Sequence, residues 1–164
     1  LGPEAVRLQA ATFERLVIGQ ITETQGSTSG LSQLDHYLNV ISGKTSSLIA
    51  TSIRFGAMLA GSDAHTIETL THYGELIGTV FQLADDVIDI ASETNESGKT
   101  PGTDLREGVP TMVTVQILES NAEEDAELKA ILSAPIHDEK VVAHTLATLR
   151  THRAMDISRA LLVQ

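Results

Sequence analysis

Three carboxylates stand within five positions in the stretch Phe81-Gln82-Leu83-Ala84-Asp85-Asp86-Val87-Ile88-Asp89. Around them Ile67, Leu70, Gly74, Ile77, Phe81, Ala84 and Ile88 recur at steps of three and four, which predicts a helix that turns this stripe toward a core. At about 100° per residue, Gln82, Asp85 and Asp89 share one arc beside the stripe, with Asp86 at its edge. Gly74 and Gly78 extend the arc toward the helix start and predict a groove in which another group approaches the backbone. Like charges at i,i+4 repel by a few tenths of a kcal/mol, and by more when desolvated. A divalent cation removes that cost, and oxygen-only ligands suit a hard ion such as Mg²⁺. The plainer alternative is a solvated acidic face, but such faces usually lie opposite a core rather than along its edge. The stretch reads as one side of a metal-bridged anion site.

About ten residues on, Ser97-Gly98-Lys99-Thr100-Pro101-Gly102-Thr103-Asp104-Leu105-Arg106 combines turn-forming glycines and a proline with two cations. Such a loop can present backbone N–H groups, Lys99 and Arg106 to an anion over the carboxylate groove. Gly43-Lys44-Thr45 and Gly98-Lys99-Thr100 are not nucleotide-binding P-loops, because Leu38 and Glu93 occupy the positions where a glycine is required and the preceding segments read as helical. Each lysine does sit at a break in a helical pattern, from which its ammonium can reach an anion. His65 and His72 lack the i,i+4 spacing and the carboxylate of a zinc helix. No nucleophile paired with a base is readable. The five aromatic residues are scattered and form no stacking surface.

The elements that must hold these groups all read as helices. Pro3 opens the first, with Val6, Ala10, Phe13 and Val17 at helical spacing through Glu23, and the run 25–30 ends it as a loop. Ser32 with Asp35 three residues on forms an N-cap for a helix through Tyr37 and Ile41 that loosens at Ser42-Gly43 and resumes to about Ala60. Asp63 caps the central helix, about Ala64 to Ser92. Residues 93–108 are expected to be irregular, and a loop of that length in a compact domain is usually functional. Pro110 is expected to start a helix through Leu118, Asn121 to open another, and a single last helix to run from about Asp138 past Ile157.

The 164 residues are one domain's worth of chain. With 22 acidic and 11 basic residues, the net charge of −11 repels nucleic-acid phosphates and anionic lipid. No apolar run reaches the roughly 18 residues of a membrane span, so no stable membrane insertion is expected. The absence of cysteine excludes thiol chemistry and fits a reducing cytosol, so the expected location is cytoplasmic. The chain opens inside a helix start without Met, and the expectation is a piece of something longer.

Taken together, Phe81-Gln82-x-x-Asp85-Asp86-x-x-Asp89, Gly98-Lys99 and Thr103-Asp104-Leu105, preceded in order by Gly19-Gln20-x-x-Glu23 and Lys44-Thr45, resemble the second aspartate-rich half of the trans-isoprenyl (polyprenyl) diphosphate synthases. The resemblance implies an all-α isoprenoid-synthase helical bundle, represented over residues 1–164 by its C-terminal half, with the first aspartate-rich half absent. It implies condensation of an allylic diphosphate with isopentenyl diphosphate to a longer trans-polyprenyl diphosphate, of geranylgeranyl type or longer. It further implies Mg²⁺ held by Asp85, Asp86 and Asp89, with Glu23 assisting the metal cluster. Lys44, Thr45, Gln82 and Lys99 take the catalytic and diphosphate-binding roles. Val109 stands where the family often has a second lysine, so that contact is either lost or supplied by Arg106, which is counted among the substrate-binding residues. The chain alone is expected to be inactive, to expose an apolar face, and to form a homodimer or associate with the missing half. Two rivals are a non-catalytic subunit of a two-chain synthase and a class I terpene cyclase, although Asn39-Val40-Ile41-Ser42 is followed by Ser46 where the cyclase motif needs Glu. A purely structural helical module is a third.

Overall fold

The computed structural model describes residues 2–27, 30–92 and 100–163, and every regular element among them is helical. Helix α1 (Gly2–Gln25) carries Pro3 in its first turn and gives way to Gly26 at φ +70°. Ser32 caps α2 (Gln33–Ile41), its hydroxyl oxygen accepting the Asp35 N–H at 2.9 Å. The expected loosening at Ser42-Gly43 takes the form of a wide π turn, Ser42–Ser46, leading directly into α3 (Ser47–Leu59). Asp63 Oδ1 accepts the Thr66 N–H at 2.9 Å and so caps α4 (Ala64–Ala91). No described helix is long and apolar enough to cross a membrane.

Beyond α4 the sequence expectations need three adjustments. The stretch expected to be irregular contains a short helix, α5 (Thr103–Glu107), flanked by Gly102 and Gly108 in the left-handed region, where glycine carries no steric cost. Helix α6 (Met112–Glu119) starts after Pro110, because Thr111 and Thr114 form a reciprocal capping box. A 3₁₀ turn (Glu123–Asp125) leads into α7 (Ala126–Leu132). The expected single last helix is two, α8 (Glu139–Thr151) and α9 (Arg153–Leu161). It breaks at His152, whose extended backbone lets its ring accept the Ala154 N–H at 3.2 Å, while its Nε2 meets Asp125 Oδ1 at 3.0 Å. The imidazole supplies the cap of the new helix, a signal that apolar spacing does not carry.

The chain groups into two compact units, Leu1–Leu31 with Leu38–Gln82, and Ser32–Tyr37 with Leu83–Gln164. The first is packed through small residues. A Cβ on Gly43 would lie 3.0 Å from the Gly19 Cα, one on Gly74 2.6 Å from the Ala50 Cα, and one on Gly78 2.4 Å from the Ser46 Cα. The groove expected along Gly74 and Gly78 is therefore filled by the protein's own π turn and α3. This also corrects the expected stripe. Close backbone approach buries the glycine face of α4, so Ile77 and Phe81 turn outward and are 36% and 59% exposed, and farther on Ile88 is 44% exposed. Val6, Phe13 and Ile18 of α1 are also exposed, giving the apolar surface that the sequence led one to expect.

The second unit has a conventional core. Val87 and Ile90 pack with Leu105, Val113, Ile117, Val142, Leu149 and Met155. Next to it Asp125 is almost wholly buried, yet its carboxyl is held down at about 2 by hydrogen bonds from Ser120 first, then His152 and Arg153.

Gly78→Val forces a side chain into the Ser46 backbone and is expected to lower stability by at least about 2 kcal/mol. Gly56→Ala, at a helical position with open space around it, is expected to raise stability by about 0.5–1 kcal/mol. Urea midpoints read both, and equal effects would contradict the packing described. Asp125 titrates lower folded than unfolded, so its contribution is present above about pH 4 and is lost as pH falls toward 2. The urea midpoint of the wild type should therefore drop across that window more than that of Asp125→Asn. Parallel profiles would contradict the assignment.

Candidate functional site

In the first unit the structure brings the expected residues together as two pairs. Lys44, on the π turn, donates from Nζ to Glu23 Oε2 at 2.7 Å, and Gln20 Nε2 donates to the same oxygen at 2.9 Å. Thr45 donates from its hydroxyl to Gln82 Oε1 at 2.8 Å. The local cause is the contact of Gly19 with Gly43. With no side chain at either position, α1 and the π turn close to backbone distance, and Glu23 lies one helical turn beyond Gly19. A few residues earlier Arg15 Nη1 donates to Glu75 Oε1 at 2.7 Å.

In the second unit the aspartate run divides by direction. The Asp86 carboxyl points inward and is buried; its Oδ2 accepts the Tyr37 hydroxyl at 2.6 Å and the Met112 N–H at 2.9 Å. Burial first, and the Asp86 charge next, push the Tyr37 hydroxyl far above its ordinary range, so it stays a donor. Asp89 is also buried. Its Oδ1 accepts the Thr103 N–H at 3.2 Å and its backbone carbonyl accepts the Gly102 N–H at 3.1 Å. Asp89 Oδ2 is buried with no hydrogen-bond partner among the described residues. Burial raises the Asp89 carboxyl, against the N–H groups of Thr103, Asp104 and Gly102 that lower it. Asp85, half-buried, follows Gln82 on the same arc.

The N–H groups expected to face an external anion are thus in part committed: those of Gly102 and Thr103 are spent on Asp89. Arg106 is committed as well. Its Nε and Nη2 form a fork on Glu139 at 2.9 and 2.8 Å, and its Nη1 donates to the Pro101 carbonyl at 2.7 Å. Lys99 and Gly98 lie outside the described residues.

Three contributors were not assigned from the sequence. Tyr37 gave no local signal, since its role depends on a partner 49 positions away. Asp104 was part of the quoted motif but had no role; burial first, then Asp89, Asp86 and Asp85, push its carboxyl up to about 7. Arg150 closes the end of α4, donating to the Ile90 and Ser92 carbonyls at 2.8 and 2.7 Å, a cation at a helix C-terminus supplied from α8.

These groups suit a hard cation in one specific respect. Among the described residues no three His, Cys, Asp or Glu side chains already stand at metal-binding spacing. The donor set is nevertheless oxygen only, and Asp89 Oδ2 is an orphaned buried acceptor. Such an atom carries a desolvation penalty that a cation offsets.

The family model described as Polyprenyl synthetase matches residues 2–149. The nonaprenyl diphosphate synthase of Mycobacterium tuberculosis is 43% identical over all of this chain and 49% of its own length. A crystal structure of geranylgeranyl pyrophosphate synthase from Corynebacterium glutamicum, complexed with calcium and isoprenyl diphosphate, superposes with a TM-score of 0.87 at 39% identity, over 99% of this chain and 50% of that one. A polyprenyl synthase from Caulobacter crescentus, in complex with the same ligands, gives 0.86 at 28% identity, over 99% of this chain and 50% of that one. The chain spans about half the length of the curated relatives it matches.

Tyr37→Phe removes one of the donors to the buried Asp86 carboxylate and is expected to cost about 1–3 kcal/mol in urea unfolding. An unchanged midpoint would show that Asp86 is not anchored in this way.

Proposed function

The chain belongs to the polyprenyl synthetase family, and from that premise we propose that it serves the condensation of an allylic diphosphate with isopentenyl diphosphate to a longer trans-polyprenyl diphosphate, with Mg²⁺ as the cation. In that reaction the allylic C–O bond breaks with its electron pair leaving on diphosphate, the isopentenyl alkene attacks the allylic carbon, and a proton departs. Magnesium, when bound, supplies the positive charge that stabilises the departing diphosphate.

Asp85 and Asp89 would hold the ion. The observation that carries this reading is Asp89 Oδ2, buried and without a partner among the described residues, in a chain whose family match runs through it. Asp86, with Oδ2 occupied by Tyr37 and Met112, takes the role of anchoring the run; this differs from the direct ligation expected from the sequence. Lys44 would donate to the diphosphate. Its present partner supports this, because a part-exposed pair with Glu23 is worth no more than about 1 kcal/mol and yields readily to a more highly charged anion. Thr45 and Gln82 would orient oxygens of the leaving group as a bonded pair, and Lys99 would add a second ammonium. Arg106, forked on Glu139, is assigned to holding the start of α5 against α8 rather than to substrate.

These 164 residues by themselves are expected to bind and not to turn over. The chain spans 49% of the nonaprenyl diphosphate synthase it matches, and the other acidic cluster and the isopentenyl diphosphate pocket that the family resemblance implies would belong to the part it does not span. Exposed Val6, Phe13 and Val17, which share one face of α1, support association through that face, with a second copy or with the remaining half.

Calorimetric titration with inorganic pyrophosphate tests the site. Binding is expected with Mg²⁺ present and absent in EDTA, and at least tenfold weaker in Asp89→Asn, about 1.4 kcal/mol. A flat titration with Mg²⁺ would contradict the reading. Sustained prenyl transfer by the 164-residue chain alone would contradict the expected inactivity.

A further inference from the structure

A second set of residues in the Leu83–Gln164 unit has no part in the aspartate run. The 3₁₀ turn, α7, α8 and His152 enclose a cleft of about 140 Å³. Leu128 and Thr145 are buried in it, Ile131 is half-buried, and Glu124, Glu127 and His144 are exposed at it. A cavity of about 150 Å³ accommodates a molecule the size of benzene. Thr145 is fully buried, and its hydroxyl has no hydrogen-bond partner among the described residues. A helical threonine ordinarily satisfies its hydroxyl on the carbonyl four residues back, as Thr148 does on His144 at 3.0 Å. Thr145 does not, so an unmet hydroxyl lies buried in the wall of the cleft.

The charges at the cleft narrow what could meet that group. No lysine or arginine lines it, which argues against an anion. Asp125 and His152 also line it but are bonded to each other, and Arg153 takes the other Asp125 oxygen. Glu124 and Glu127 make no ion pair among the described residues and leave the lining negative. A hard metal ion needs several converging ligand oxygens, and no three metal-ligating side chains converge among the described residues. A purely apolar occupant would leave the Thr145 hydroxyl unmet and gain nothing from the negative lining.

We propose that this cleft binds a small protonated amine with a compact apolar body. The body packs on Leu128 and Ile131, the ammonium meets the field of Glu124 and Glu127, and Thr145 takes one hydrogen bond. The site is independent of the aspartate run, and its failure would leave the prenyl-transfer reading untouched.

The test is methyl NMR of the full 164-residue chain titrated with cyclohexylamine, cyclohexanol and cyclohexanecarboxylate at pH 7. Cyclohexylamine is expected to give saturable shifts at Thr145, Ile131 and Leu128 with a Kd on the order of 1–10 mM, at least fivefold tighter than either control. Thr145→Val and, separately, Glu127→Gln should each weaken the amine at least threefold. Glu127 is exposed, so its variant reads charge without disturbing packing. Equal shifts with all three probes, no saturable shift with the amine, or unweakened binding in both variants would overturn the proposal.

Discussion

The cost of burying carboxylates is the constraint that shapes the aspartate run in the unit that holds Leu83–Gln164. Near its N-terminal end two acids three positions apart on α4 are taken out of water, and each is met differently. Asp86 receives a phenol and a backbone N–H on one oxygen, an arrangement that stabilises its charge. Asp89 receives the Thr103 N–H on one oxygen and nothing from the described residues on the other. Asp104 is pushed up to about 7 by burial and by those same acids. Burial is the largest cause that raises both the Asp89 and the Asp104 carboxyls.

Helix-end chemistry sets where those acids stand. Arg150 fastens the carbonyl end of α4 from α8, and Gly102, at φ +76°, turns α5 so that two N–H groups meet Asp89. The other unit uses steric economy instead. Glycines at 19, 43, 74 and 78 let helices approach at backbone distance, which places Lys44 on Glu23 and Thr45 on Gln82. The same close packing leaves the large apolar side chains of α1 and α4 on the outside. Cohesion there comes from fit between small residues, and the outward apolar surface is available for association.

Much of this was legible in the sequence because the deciding signals are local. Helical spacing, the Ser32 and Asp63 caps and the weakness at Ser42-Gly43 all depend on neighbours a few positions apart, and each corresponds to an observed element or turn. The family was legible for the same reason, from short motifs in order along the chain. What escaped depends on partners far along the chain. The glycine stripe of α4 reads as a groove from its own sequence, and only Ser46 and Ala50 show that it is filled. Tyr37, Arg150 and His152 act on residues 27 to 60 positions away, and no periodicity announces such a match. Arg106 had a plausible anion to meet, but the carboxylate that claims it, Glu139, is 33 positions on.

Asp89 Oδ2, buried and without a hydrogen-bond partner among the described residues, is the atom we propose as a cation ligand. The most direct measurement is a crystal structure of this chain grown with Mn²⁺ and pyrophosphate, read at the manganese absorption edge. The account predicts an anomalous peak bonded to Asp89 Oδ2 at roughly 2.1–2.2 Å, close to the distance of a hard divalent ion to oxygen, with Asp85 as a neighbouring ligand. A peak bonded elsewhere, with that oxygen still unmet, would contradict it.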